Sequence, residues 1–170
     1  MSIADPTPSS SPLEDQRERT PARESGRTMW SGALVGVGVA AFVDETIFHQ
    51  LLHWHHFYDK STPDVGLVSD GVFHAVGWFA VVGGLFLLAD LRRRDTLWGL
   101  RWWAALLFGM GGFQLYDGTI QHKLLGLHQI RYQVTIWPYD LVWNLLAVIA
   151  IVVGFVLLRR SFTIARSRNR

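Results

Sequence analysis

Residues 42–56 read FVDETIFHQLLHWHH, placing two acids and four histidines at the end of an apolar run. Imidazoles and carboxylates gathered from several helices are what first-row transition metals use in helical bundles, with further carboxylates orienting the imidazoles. Residues four apart share a helix face, so Glu45, His49, His53 and His56 would line one stripe of a continued helix. Asp70 and His74 form a second such pair, and Asp140 and Asn144 a third. Asp44 and His49 are five apart, which on an α-helix turns them about 140° from one another. They meet at one point only if the helix is distorted or if Asp44 orients a neighbouring ligand.

The expected chemistry is a metal site. His49, His74 and His122 are its central ligands, and Asp44, Asp70 and Asp117 serve as ligands or orienters. His53, His55, His56 and His128 complete a second site or cap the first, with Gly126 ending a helix so that His128 folds back toward His122. There are no cysteines, and methionine occurs only at Met1, Met29 and Met110, which argues against a copper(I) shuttle with soft ligands. Iron, copper(II), zinc and manganese stay open. Glu45 is the weakest of the carboxylates as a candidate, because its position is acidic in one repeat only. Lys123 and Arg131 are assigned to headgroups.

These residues need a frame, and four apolar segments supply it: Met29 to about His49, Gly71–Leu91, Trp98 to about Leu125, and Tyr139–Leu158. Each has about the 20 residues that cross a bilayer. "FAVVGGLFLLA" and "LLAVIAIVVGFVLL" lack the polar face of a soluble bundle. The expected fold is an all-α membrane protein with four transmembrane helices in residues 29–159. Residues 1–28, rich in Pro, Ser, Arg and Glu, form a disordered tail without the pattern of a signal peptide, and 160–170 a basic tail. Thirteen basic residues lie in the two tails and the middle loop, whereas only Lys60, Lys123 and Arg131 lie on the other side. That asymmetry puts both termini in the cytoplasm and hairpin loops 54–69 and 126–138 outside. Trp54, Tyr58, Tyr132, Trp137 and Tyr139 suit an aromatic belt there. All seven histidines fall at or near that outer end.

The chain also repeats itself. "GVGVAAFVDETIFHQLLHWHH" (36–56) aligns with "GMGGFQLYDGTIQHKLLGLHQ" (109–129) at an offset of 73, matching Asp44 to Asp117, His49 to His122 and His55 to His128. "SDGVFHAVGWFAVVGGLFLL" (69–88) aligns with "YDLVWNLLAVIAIVVGFVLL" (139–158) at an offset of 70. The repeating unit is a two-span hairpin, which implies a pseudo-twofold axis along the membrane normal. Gly36, Gly38, Gly109, Gly111 and Gly112 are read as close packing between helices.

The long motif at 36–56, together with "SDGVFHA" and "LLGLHQ", resembles an uncharacterised family of bacterial membrane proteins, domain of unknown function number 2243. The likeness extends from about residue 30 to 158 and implies a four-span protein of the bacterial inner membrane, with no activity attached.

Three function classes follow from the chemistry. The first is a metal-binding membrane protein in a redox role, or in delivery of metal to a respiratory enzyme. The second is a b-type haem protein with His49 and His122 as axial ligands. The third is a structural protein or proton relay without metal, weakened because Gln114 and Tyr116 are the only polar stepping stones further in. Expected partners are the lipid bilayer, with a second copy of the chain or a respiratory complex open. No nucleotide loop is present, and the basic tails are explained by topology rather than by nucleic acid.

Overall fold

A computed structural model describes residues 12–168, and among these every regular element is helical. Helix α1 (Pro12–Asp44) runs directly into a π-helical segment, π1 (Glu45–Leu51). Helix α2 spans Pro63–Arg93. Helix α3 (Gly99–Leu115) runs into a second π-helical segment, π2 (Tyr116–Leu124), and α4 spans Trp137–Arg168. Three stretches are long and apolar enough to cross a bilayer: Ala22–Leu51, Pro63–Arg93 and Trp137–Ala165. The α3–π2 stretch is less apolar, since it carries Arg101 near one end and Asp117, Gln121 and His122 near the other, all buried in protein.

The four helices lie in the lateral order α2, α1, α3, α4, with α1 and α3 at the centre. Half of the α1 span is buried, against 11% for α2 and for α4. The outer pair instead expose rows of large apolar residues, Val72, Val76, Phe79 and Phe86 on one side and Leu141, Leu145, Val152 and Phe155 on the other. In water such rows would need a covering partner, whereas hydrocarbon covers them without one.

Glycine sets the spacing at the centre. A Cβ on Gly36 would overlap the Leu106 carbonyl, and one on Gly109 would overlap that of Ala33, so α1 and α3 approach backbone to backbone. Gly38 sits in the same way on Gly77 and Val81 of α2, and Gly111 on Ala147 and Ile151 of α4.

Two boundaries differ from expectation. Helix α2 begins at Pro63 rather than near Gly71, because Thr62 accepts a hydrogen bond from Val65 N (3.4 Å) and proline suits the first helical turn. Helix α1 begins at Pro12, inside the stretch expected to be disordered. Arg27 Nη2 reaches Asp90 Oδ2 at 2.6 Å, Thr96 Oγ1 donates to Glu24 Oε2 at 3.1 Å, and Thr28 is fully buried. Those partners lie more than sixty residues away, so local composition could not announce them. Residues 1–11 and 169–170 of the two expected tails lie outside the described residues.

Candidate metal centre

The two π segments resolve the five-residue spacing. A helix closed by bonds five residues apart, such as Leu52 N to Ile47 O (2.9 Å) and Leu125 N to Ile120 O (2.8 Å), carries residues i and i+5 on one face. His49 Nε2 accordingly lies 3.8 Å from Asp44 Oδ2, and His122 Nε2 lies 3.1 Å from Asp117 Oδ2. Gln50 Nε2 donates to Glu45 Oε1 (2.8 Å) over the same interval. π-Helical turns are rare and recur at functional sites, and here the rare turn is what aims acid and imidazole at one another.

After each π segment the chain folds back and delivers a second imidazole. The reversal uses left-handed backbone at Gly126 (φ 55°) in one loop and at His53 (φ 50°) in the other. His55 Nδ1–H then donates to Ile130 O (3.0 Å), while His128 Nδ1–H donates to Phe57 O (2.9 Å), so each loop holds the other's ring. The two rings stack with centroids 4.6 Å apart and planes 5° from parallel. His49 lies 4.4 Å from His55, and His122 lies 4.7 Å from His128. All four imidazoles and both aspartates are at most 5% exposed. Burial, followed by the neighbouring rings, keeps His55 neutral, its pKa pushed down to about 2.

The hydrogen bonds fix the orientation of the rings. Asp70 accepts from His49 Nδ1 (3.0 Å), His56 Nδ1 (2.6 Å) and Phe57 N (2.7 Å). In three of the four central rings Nδ1 is thus fixed, which leaves Nε2 as the nitrogen with a free lone pair. Nε2 of His49 and His55 and Nδ1 of His122 are buried without a hydrogen-bond partner, while Nε2 of His122 and of His128 face Asp117 at 3.1 and 3.5 Å. At about 1–3 kcal/mol for each unsatisfied buried group, three would cost a large part of the net stability of a domain. A chain that folds must offset this with partners beyond its own side chains, and a cation shared by the lone pairs would do so. His55, His122 and His128 form one group whose donor atoms lie within 4.8 Å of one another, and Asp44, His49 and His55 form a second. Glu45, His49 and Asp70 form a third, on the Nδ1 side of His49. An Nδ1 held by carboxylate or carbonyl, with Nε2 turned inward, is how proteins orient imidazoles toward a metal. The donor set fits such an ion.

Comparison with known proteins gives the fold a family but no activity. The family described as "Predicted membrane protein (DUF2243)" matches residues 31–161. The chain belongs to this family. No curated protein and no solved structure is significantly similar to it.

Not every expected residue of this DUF2243 chain reaches the centre. His49, His55, His122, His128, Asp44 and Asp117 are brought together. Asp70 lies beneath them, with His56 bonded to its outer oxygen. His74 does not join: half-buried one turn further along α2, it packs on Phe42, ring centroids 5.5 Å apart. Nor does His53, which is exposed, because the helix ends at Leu51 and the stripe from Glu45 to His56 never forms. Sequence reasoning undervalued Glu45, which is 1% exposed and lies 2.9 Å from His49 Nδ1. It missed Gln121, which donates to Asp117 Oδ1 at 3.0 Å. For Gln121 the four-residue interval from Asp117 was the available signal. In the second half Asp140 pairs with Lys123 Nζ (2.5 Å) instead of supporting an imidazole, so the two halves of the DUF2243 centre are unequal.

Proposed function

We propose that this protein crosses a cell membrane four times and binds a transition-metal ion among His49, His55, His122 and His128. Asp44 and Asp117 are the carboxylate ligands, and Asp70 orients His49. The observation that carries the reading is the pair of buried groups, Asp44–His49–His55 and His55–His122–His128, that share His55 and whose donor atoms lie within 4.8 Å of one another inside each group. The ligands fall into pairs 73 residues apart, and so do the contacts that place them. Gly36 on Leu106 is matched by Gly109 on Ala33, and His55 on Ile130 by His128 on Phe57. Gly38 on Gly77 and Gly111 on Ala147 follow the offsets of 73 and 70. This reciprocity supports a pseudo-twofold axis between α1 and α3, and with it the reading of α3–π2 as a fourth span equivalent to α1–π1. The basic residues of the termini and the α2–α3 turn put that side in the cytoplasm and the centre at the outer face of a bacterial inner membrane.

Imidazole with carboxylate suits iron, copper(II), zinc or manganese. Such an ion serves electron transfer or delivery to a respiratory partner, and the two uses part in how readily it leaves. A haem with His49 and His122 as axial ligands is disfavoured. The stacked rings of His55 and His128 lie within 6.2 Å of the His122 and His49 rings and fill the space that a macrocycle would need.

Elemental analysis of detergent-purified protein tests the reading. Stoichiometric metal without a Soret band is expected, and it should be lost in His55→Ala and in His128→Ala. Metal-free wild-type protein after growth with added iron, copper, zinc and manganese would overturn it, and a Soret band would restore haem.

A further inference from the structure

A cavity of about 400 Å³ opens beside the centre, lined by His53, Trp54, His55, His56, Asp59 and Tyr132. His55 is the one central imidazole on its wall, so this ring borders both the cavity and the buried donor set. The mouth carries cation-binding chemistry outside the centre itself. His53 is exposed, and Asp59 Oδ1 accepts from His56 N at 3.2 Å while its Oδ2 is buried without a partner.

His53 is the informative residue. Its backbone is left-handed (φ 50°), a conformation that histidine adopts more readily than most side chains and that Asp95 and Gln133 also take here. The second loop meets the same need at the position 73 residues on with Gly126 (φ 55°). Histidine stands in the first loop where the second has glycine. The opposite loop carries a cation of its own. Lys60 Nζ lies 3.7 Å from where a Gly126 Cβ would stand and donates to Leu125 O at 3.2 Å, so an ammonium group occupies the place corresponding to the mouth.

We infer that the His53–Asp59 cavity is the loading port of the metal centre, through which a divalent cation from the outer face reaches His55. This rests on the metal-centre reading and adds a route and a direction to it. His53 and Asp59 capture the hydrated ion, and His55 receives it at the boundary of the buried cage. One port on the first loop gives an asymmetric approach to a nearly symmetric site.

Uptake of Co²⁺ by metal-free, detergent-purified full-length protein, followed by its visible absorption, separates the two ideas. His53→Gly suits the backbone it replaces, and Asp59→Asn keeps side-chain size, so both variants should fold. Loss of the local field and capture groups should slow uptake about tenfold in the double variant, with the final Co²⁺ per chain unchanged. Variants that load as fast as wild type overturn the port and leave the centre standing. Variants that lose final stoichiometry also overturn it, by making His53 and Asp59 part of the site. Wild-type protein that takes up no Co²⁺ at all removes the centre and the port together.

Discussion

Replacing Asp70 with asparagine separates a group that orients a ligand from one that is a ligand. The carboxylate is fully buried and accepts three hydrogen bonds, from His49 Nδ1 (3.0 Å), His56 Nδ1 (2.6 Å) and Phe57 N (2.7 Å). Asparagine has nearly the same shape but only one acceptor oxygen, so its NH₂ must face a donor. One imidazole then turns or changes tautomer, and His49 Nε2 no longer holds its inward lone pair in place. Removing an orienting partner of this kind costs about 10–100-fold in metal affinity, or about 1.4–2.7 kcal/mol. Chelator competition for Zn²⁺ on purified protein should show an unchanged ion count and a Kd raised within that range. Asp140→Asn is the matched control: Asp140 pairs with Lys123 Nζ and holds no imidazole, so its Kd should stay near that of wild type. An Asp70→Asn protein as metal-free as His49→Ala would make Asp70 itself a ligand, and an unchanged Kd would remove its role altogether.

Three further outcomes follow. Gly36→Ala pushes a Cβ into the Leu106 backbone and should lose about 1–3 kcal/mol by thermal unfolding in detergent. Gly71→Ala, with nothing within 4 Å, should gain about 0.5–1 kcal/mol in the same assay. Equal behaviour of the two would contradict the close α1–α3 approach. The chain has no cysteine, so single-cysteine labelling has no background: a membrane-impermeant maleimide on intact cells should modify Ser61→Cys and spare Arg94→Cys, and the reverse pattern would invert the topology. His74→Ala should leave the bound-ion count unchanged, and loss of the ion would return His74 to the centre.

Much of the fold could be read from the chain. Hydropathy located the helices, while the D-x4-H interval flagged a distortion that proved to be a π-helical turn. Gly126 ended its helix as expected, since glycine announces a left-handed residue. His53 adopts the same backbone without that signature, so the first loop was read as continuing helix. The misplacement of His74 has a similar origin. Pattern puts Asp70 and His74 on one face but cannot say at what depth that face stops meeting the neighbouring helix. His74 lies level with Phe42, before π1 begins, and only Asp70 reaches the imidazoles. Glu45 was discounted because Gly118 stands at its repeat position. The structure uses that difference, giving His49 an acidic neighbour that His122 lacks.

The crossed bonds of the outer loops, His55 to Ile130 and His128 to Phe57, bear on how such a chain can be divided. A protein cut in the short turn between α2 and α3 yields two hairpins, neither of which can fix its own last imidazole. Co-expressed fragments would have to find each other in the bilayer before either site was finished. Ancestry is constrained in the same way: a half-length forerunner with this architecture could have assembled the cage only as a pair of identical subunits, and duplication with fusion would have turned an encounter between molecules into a fold within one.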